Sequence, residues 1–236
     1  MELTFRDVAG FFDVSESTIR RWVKRRDLPA HRINGPFRFS AVEVLEWANA
    51  RQVQVSSALF DGVDEPATPR VLLASALEAG GIFHGIADST RGAALRAVVD
   101  VMPVPTGIDR QALLELFLAR EALGATAIGD GIAIPHIRSP LVLKIACASV
   151  TLCFLRQPVD FGALDGQPVG ILFSVMCPTT RAHQQVLARL SFALHDKNFR
   201  RLIVGRASGG EILAQARRID EGIERVAARH VRRIAG

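Results

Sequence analysis

The chain has 236 residues, 49% of them hydrophobic and 22% charged, with a net charge of +5. These values exclude a disordered or fibrous chain and allow one large globular domain or two smaller ones. The longest uncharged apolar run, IACASVTLCFL, spans only 145–155, and a membrane-crossing helix needs about 20 residues, so no membrane partner is expected. MELTFRDVAG at the start carries two acids and no apolar stretch; no secretory signal is expected, and the cytoplasm is the expected compartment. Cys147, Cys153 and Cys177 lie in apolar, strand-like runs without CxxC spacing. They are expected to be core thiols rather than a disulfide framework or a zinc site.

The basic charge is local. Residues 1–50 are nearly balanced, whereas residues 181–236 carry twelve basic side chains against five acidic ones. RRWVKRR at 20–26 forms a second basic cluster. Such clusters suit a polyanion, although many only solvate a surface.

In chain order, Thr4 and Asp7 open a short helix, FRDVAGFF, which DVS ends. A second helix runs from about Ser15 to Arg26, with Ile19, Trp22 and Val23 on one side. Asn34-Gly35 between two short extended runs predicts a hairpin with a type I′ turn. Ser40 and Glu43 form a predicted capping box for the helix AVEVLEWANAR, whose Val42, Val44, Leu45 and Trp47 close a small core. Residues 51–69 read as a linker, with a short docked stretch around Ala58–Phe60.

From residue 70 the pattern alternates helix and strand. VLLASALEA reads as helix and GGIFHGI as strand. Asp88-Ser89-Thr90 and Asp109 each cap a helix, GIAIPH is extended, and LVLKIACASVTLCFL and PVGILFSVMC are strands. From Thr180 onward the chain is mainly helical. The expected fold class is two domains: a small, mainly α winged helix-turn-helix, then a three-layer α/β domain with a mixed sheet flanked by helices.

Helix, tight turn, helix, hairpin and helix, as in LTFRDVAGFFDVSESTIRRWVKRRDLP followed by FRFS, resembles the MerR/excisionase-like winged helix-turn-helix family. The resemblance implies that the second helix enters the DNA major groove and that the wing touches the backbone. Ser17, Arg20, Arg21, Lys24 and Arg25 on that helix and Arg38 in the wing are the expected DNA contacts. Double-stranded DNA is then a partner, bound by a homodimer on a two-part site.

His136 follows Pro135 at the end of GIAIPH, between Arg120 and Arg138, with His183 at the start of a later helix. A neutral imidazole is a good nucleophile at pH 7, and a phosphoryl group on it needs cationic or N–H donors. Gly129 and Gly131 would let the backbone approach an anion. The run LARE-ALGATAIGDGIAIPHIR, then FGALDGQPVGILFSVMCP and HQQVLARL, resembles the fructose/mannitol/nitrogen-regulatory type of phosphotransferase-system (PTS) enzyme IIA. That resemblance implies that His136 accepts the phosphoryl group and that His183 and Arg120 hold it, with Thr126 and Arg138 in support. Gln184 departs from the leucine common after the second histidine.

The expected division is therefore 1–50 DNA-binding, 51–69 linker, 70–218 IIA, and 219–236 an amphipathic basic helix. An HPr-like phosphocarrier is the expected donor, and a IIB domain or another phosphorylation-sensing protein a further partner. No cofactor or metal is expected. The expected function is a transcription regulator controlled by phosphorylation of His136. The alternative is a phosphocarrier in sugar uptake or nitrogen regulation whose first domain serves protein contacts.

Overall fold

A computed structural model describes residues 2–25, 28–32, 36–56, 70–87, 89–137 and 145–234, with side chains through Arg225. The expected Asn34-Gly35 turn, the Ala58–Phe60 stretch, Asp88, Arg138 and the tail's apolar face from Val226 onward lie outside these residues.

The first domain is built by local signals. Strand β1 (Glu2–Leu3) leads to α1 (Phe5–Phe11), where Thr4 and Asp7 form the reciprocal capping box. Helix α2 (Glu16–Arg25) starts at Ser15, whose hydroxyl accepts from the Thr18 amide. Strands β2 (His31–Arg32) and β3 (Phe37–Ser40) pair antiparallel, and β1 adds to the other edge of β3. Helix α3 (Ala41–Ala50) closes the unit. Phe12, Trp22 and Trp47 bring α1, α2 and α3 together, with ring centroids 5.3–6.0 Å apart. The capping box expected at Ser40 does not form: Ser40 makes no side-chain cap bond, and the Glu43 carboxylate instead meets His31 Nε2 at 2.6 Å.

The second domain has α4 (Leu73–Gly80), β4 (Ile82–Ile86), α5 (Arg91–Val101), α6 (Arg110–Ala122), β5 (Ala127–Gly129) and β6 (Ile132–Ala133). Strands β7 (Ser149–Val159) and β8 (Val169–Met176) follow, then α7 (Thr180–His195), α8 (Lys197–Val204) and α9 (Gly209–Ile234). The five strands lie in the order β4-β7-β8-β6-β5. The sheet is mixed: β4 with β7 and β6 with β8 are parallel, and the other two pairings are antiparallel. Alternation along β7 and β8 supplies both cores. Val150, Leu152, Phe154, Phe173 and Val175 face α4 and α7; Cys153, Leu155, Leu172 and Met176 face α5 and α6. Strand β7 begins later than the apolar run suggested. Cys147 therefore falls in a bend before the strand and is exposed, while Cys153 and Cys177 are buried and their thiols pushed up to about 12 by that burial. Among the described residues no helix is long and apolar enough to cross a membrane.

Residues 51–56 pack onto both domains. Val55 is buried, the Ser56 amide donates to the Phe11 carbonyl at 2.7 Å, and Gln52 donates to Asp130 at 2.5 Å. Residues 219–234 continue the helix that starts at Gly209. Its Asp220 does what α4 cannot do for itself. Helix α4 opens at Leu72 without a side-chain cap, and the Asp220 carboxylate accepts from the amides of Leu73 and Ala74 at 3.1 and 2.9 Å. The same carboxylate pairs at 3.2 Å with Arg189, whose side chain is fully buried, and Arg189 also pairs with Glu224 at 2.8 Å. Removing one partner of a buried pair strands the other charge. Asp220→Ala is therefore expected to destabilise the chain by about 3 kcal/mol or more, read as a lower urea midpoint.

Candidate functional site

Four segments converge on His136. Strand β6 is entered through a tight hairpin at Asp130 and Gly131, both at positive φ (52° and 72°), which suits an Asp-Gly turn. The two glycines expected near an anion thus serve the hairpin; a Cβ at Gly129 would lie 2.8 Å from the Gln52 side chain. Beyond β6 the extended chain keeps to the edge of β8. The Val175 amide donates to the Pro135 carbonyl at 2.8 Å, and His136 bridges to Val175. His136 is 3% exposed. Its Nδ1–H donates to the Ile134 carbonyl at 2.8 Å, an oxygen that can only accept. The proton is thereby held on Nδ1 and Nε2 is left to face the site.

Helix α6 brings Arg120. Its Nε–H donates to His136 Nε2 at 3.1 Å, and Nη1 donates to the Gly124 carbonyl at 3.0 Å, which fixes the guanidinium. His183, in the first turn of α7, is buried with its ring centroid 5.1 Å from that of His136, and among the described residues its Nε2 has no hydrogen-bond partner. Burial foremost, then the neighbouring His136 and the charge of Arg120, push the His183 pKa down to about 3 against the opposing pull of Glu46. This ring is neutral at pH 7. Thr126 is buried one step back: its hydroxyl and amide donate to the buried Glu121 carboxylate at 2.6 and 3.2 Å, so it supports the loop beside the site.

The fourth contribution comes from the first domain. Glu46 on α3 places Oε1 2.8 Å from His136 Nε2 and Oε2 3.0 Å from Arg120 Nη2. Burial pushes its carboxyl up, but its contact with His136 and the charge of Arg120 outweigh this and hold it below the usual range. The sequence reading missed Glu46. It lies ninety residues before His136, and on its own helix it reads as one more polar position. Beside it, α3 and the 123–126 loop enclose a cavity of about 340 Å³ that ends at His136.

Glu46, His136 and His183 each offer a possible metal ligand atom, all within 4.8 Å of one another. The Arg120 guanidinium already holds a permanent positive charge at that spot, which repels a cation and favours an anion. The expected DNA-contact residues lie elsewhere: Ser17, Arg20, Arg21, Lys24 and Arg25 are all exposed on α2. Arg20 also stacks over Phe5, and half-buried Arg38 donates to the Phe37 carbonyl.

A mixed sheet between helices, carrying a fixed imidazole beside a guanidinium and a second imidazole, defines a histidine site for an anionic group, here preceded by a helix-turn-helix unit. The family model for phosphoenolpyruvate-dependent sugar phosphotransferase system EIIA 2 matches residues 77–216, more than half the chain, and the chain belongs to that family. A helix-turn-helix domain model matches residues 2–52. The nitrogen regulatory protein of Bradyrhizobium diazoefficiens is 39% identical over 95 residues, covering 39% of this chain and 60% of that protein. The Klebsiella oxytoca nitrogen regulatory protein is 33% identical over 121 residues, covering 50% and 74%. Nitrogen regulatory protein IIA-Ntr from Neisseria meningitidis superposes with a TM-score of 0.51 at 27% identity, over 57% of this chain and 92% of that one. The chain thus spans only part of these relatives.

The buried His183 has a titration consequence. Its folded pKa lies below the unfolded value of 6.5, so the unfolded chain takes up the proton first and stability is lost as pH falls below 6.5. Between pH 6.5 and 4.5 this is expected to remove on the order of 2 kcal/mol, seen in urea midpoints. His183→Gln should show a flatter acid limb.

Proposed function

We propose that this chain is a DNA-binding transcription regulator controlled by phosphorylation of His136, with the phosphoryl group supplied by an HPr-like histidine phosphocarrier. The observation that carries this reading is the His136 ring, with Nδ1–H tied to the Ile134 carbonyl and Nε2 turned toward Arg120 and His183. The neutral ring offers the Nε2 lone pair to the phosphorus of the donor's phosphohistidine. The new N–P bond forms as the donor's N–P bond breaks. The donor ring keeps that electron pair and leaves as neutral imidazole, holding a proton on its other nitrogen. His136 keeps its own proton on Nδ1, against Ile134. Transfer between two imidazoles is nearly isoenergetic, so the protein supplies alignment and charge. Arg120 meets the phosphoryl oxygens as a cation. His183, whose ring lies beside that of His136, supplies a further contact.

The DNA reading is supported by the helix-turn-helix match and by the exposed basic residues of α2. Arginine and lysine there would neutralise phosphates, and Arg and Ser can meet base edges. A IIB domain or another phosphorylation-sensing protein is the further partner, and a homodimer the form that binds a two-part site.

With phosphorylated HPr as donor, the wild-type chain is expected to take up label and His136→Ala none; equal labelling of the two refutes the acceptor. Arg120→Ala and His183→Ala are each expected to keep label on His136 but to transfer roughly ten- to a hundredfold more slowly, the value of one charge-assisted hydrogen bond.

For DNA, Arg20→Ala with Lys24→Ala is expected to weaken duplex binding and reduce its salt dependence. Unchanged affinity in a mobility-shift titration would assign the first domain to protein contacts.

A further inference from the structure

The group that completes the His136 site belongs to the other domain. Glu46 uses both carboxylate oxygens, one on His136 Nε2 at 2.8 Å and one on Arg120 Nη2 at 3.0 Å. These are the groups that a phosphoryl group on Nε2 would use. We propose that Glu46 is an internal occupant of the phosphoryl position, latching the DNA-binding domain onto the IIA domain until His136 is phosphorylated. The inference rests on the reading that His136 Nε2 accepts the phosphoryl group.

Three observations support it. The carboxylate lies on the side of Nε2 from which a phosphorus atom must approach, so donor and Glu46 compete for one place. A phosphoryl group brings close to two negative charges to within contact of a carboxylate, and Arg120, now paired with Glu46, is already beside Nε2 to meet it. The rest of the interface is apolar and does not depend on Glu46: Val44, Leu45, Trp47 and Ala48 of α3 share one buried cluster with Val186, Leu187 and Leu190 of α7, so Glu46 sets the seat of α3 at the cavity of about 340 Å³ beside the 123–126 loop rather than holding the domains together alone.

The latch works through position. Ser17, Arg20, Arg21, Lys24 and Arg25 stay exposed while Glu46 is docked, so docking does not cover the DNA-reading face. It fixes where that face points. The Phe12–Trp22–Trp47 cluster ties α2 to α3, so a shift of α3 on α7 when Glu46 is displaced carries the whole first domain with it.

The test uses the full chain, phosphorylated HPr as donor, and tryptophan emission as an interdomain probe. Both tryptophans, Trp22 and Trp47, are in the first domain, and Trp47 lines the cavity against the second. Glu46→Ala is expected to accept label roughly tenfold faster than wild type, the size of the charge-assisted hydrogen bond that Glu46 makes with Arg120. Its emission should already match that of phosphorylated wild type before donor is added. Should Glu46→Ala lose helical circular dichroism, Glu46→Gln, which keeps the shape and removes the charge, decides. Wild-type labelling rates in both variants, with no emission change when wild type is fully labelled, overturn the latch and leave the acceptor intact. No label on any of the three overturns both.

Discussion

A guanidinium and two imidazoles meet at one spot, and the rest of the arrangement follows from the need for an anion there. Two unit charges about 4 Å apart near a protein surface interact by about 4 kcal/mol, and the desolvation of both offsets much of that. The carboxylate that answers the need is tethered, singly charged and drawn from a separate domain. A phosphoryl group would be covalently held and more highly charged. The two are matched in kind and unequal in strength, which is what an exchangeable occupant requires.

The fold serves this spot with rigid parts. His136 is held by the edge of β8 and by Ile134, Arg120 by the end of α6 and Gly124, and His183 by the first turn of α7. Thr126 and Glu121 brace the loop between them. The piece that arrives from outside is α3, which serves two masters: Val44, Leu45 and Ala48 lie in a buried cluster that runs from the first domain into the second, while Glu46 reaches His136.

Much of this was legible because it is local. The caps at Thr4, Thr90 and Asp109 bond residues two or three positions away, and the structure forms each of them. The buried strands β7 and β8 are likewise written in neighbouring residues. The unread features are those in which a polar side chain chooses a distant partner. Glu43 leaves its predicted box for His31, Asp220 caps a helix 147 positions earlier, and Glu46 finds His136 across ninety residues. No spacing rule reaches so far. Cys147 was misread for another reason: an apolar run marks a strand without marking where pairing starts, and β7 begins at Ser149.

The Asp220 contact also says something about how such a chain is assembled. It puts the start of α4 within 3.1 Å of a residue on the last helix, four positions past the end of the family match. The second domain is therefore a closed loop of chain whose two ends lie side by side. Domains with adjoining ends tolerate circular permutation and insertion into other proteins. A reader of DNA can be attached at such a seam without passing a strand through the sheet, and the junction leaves it beside the histidine.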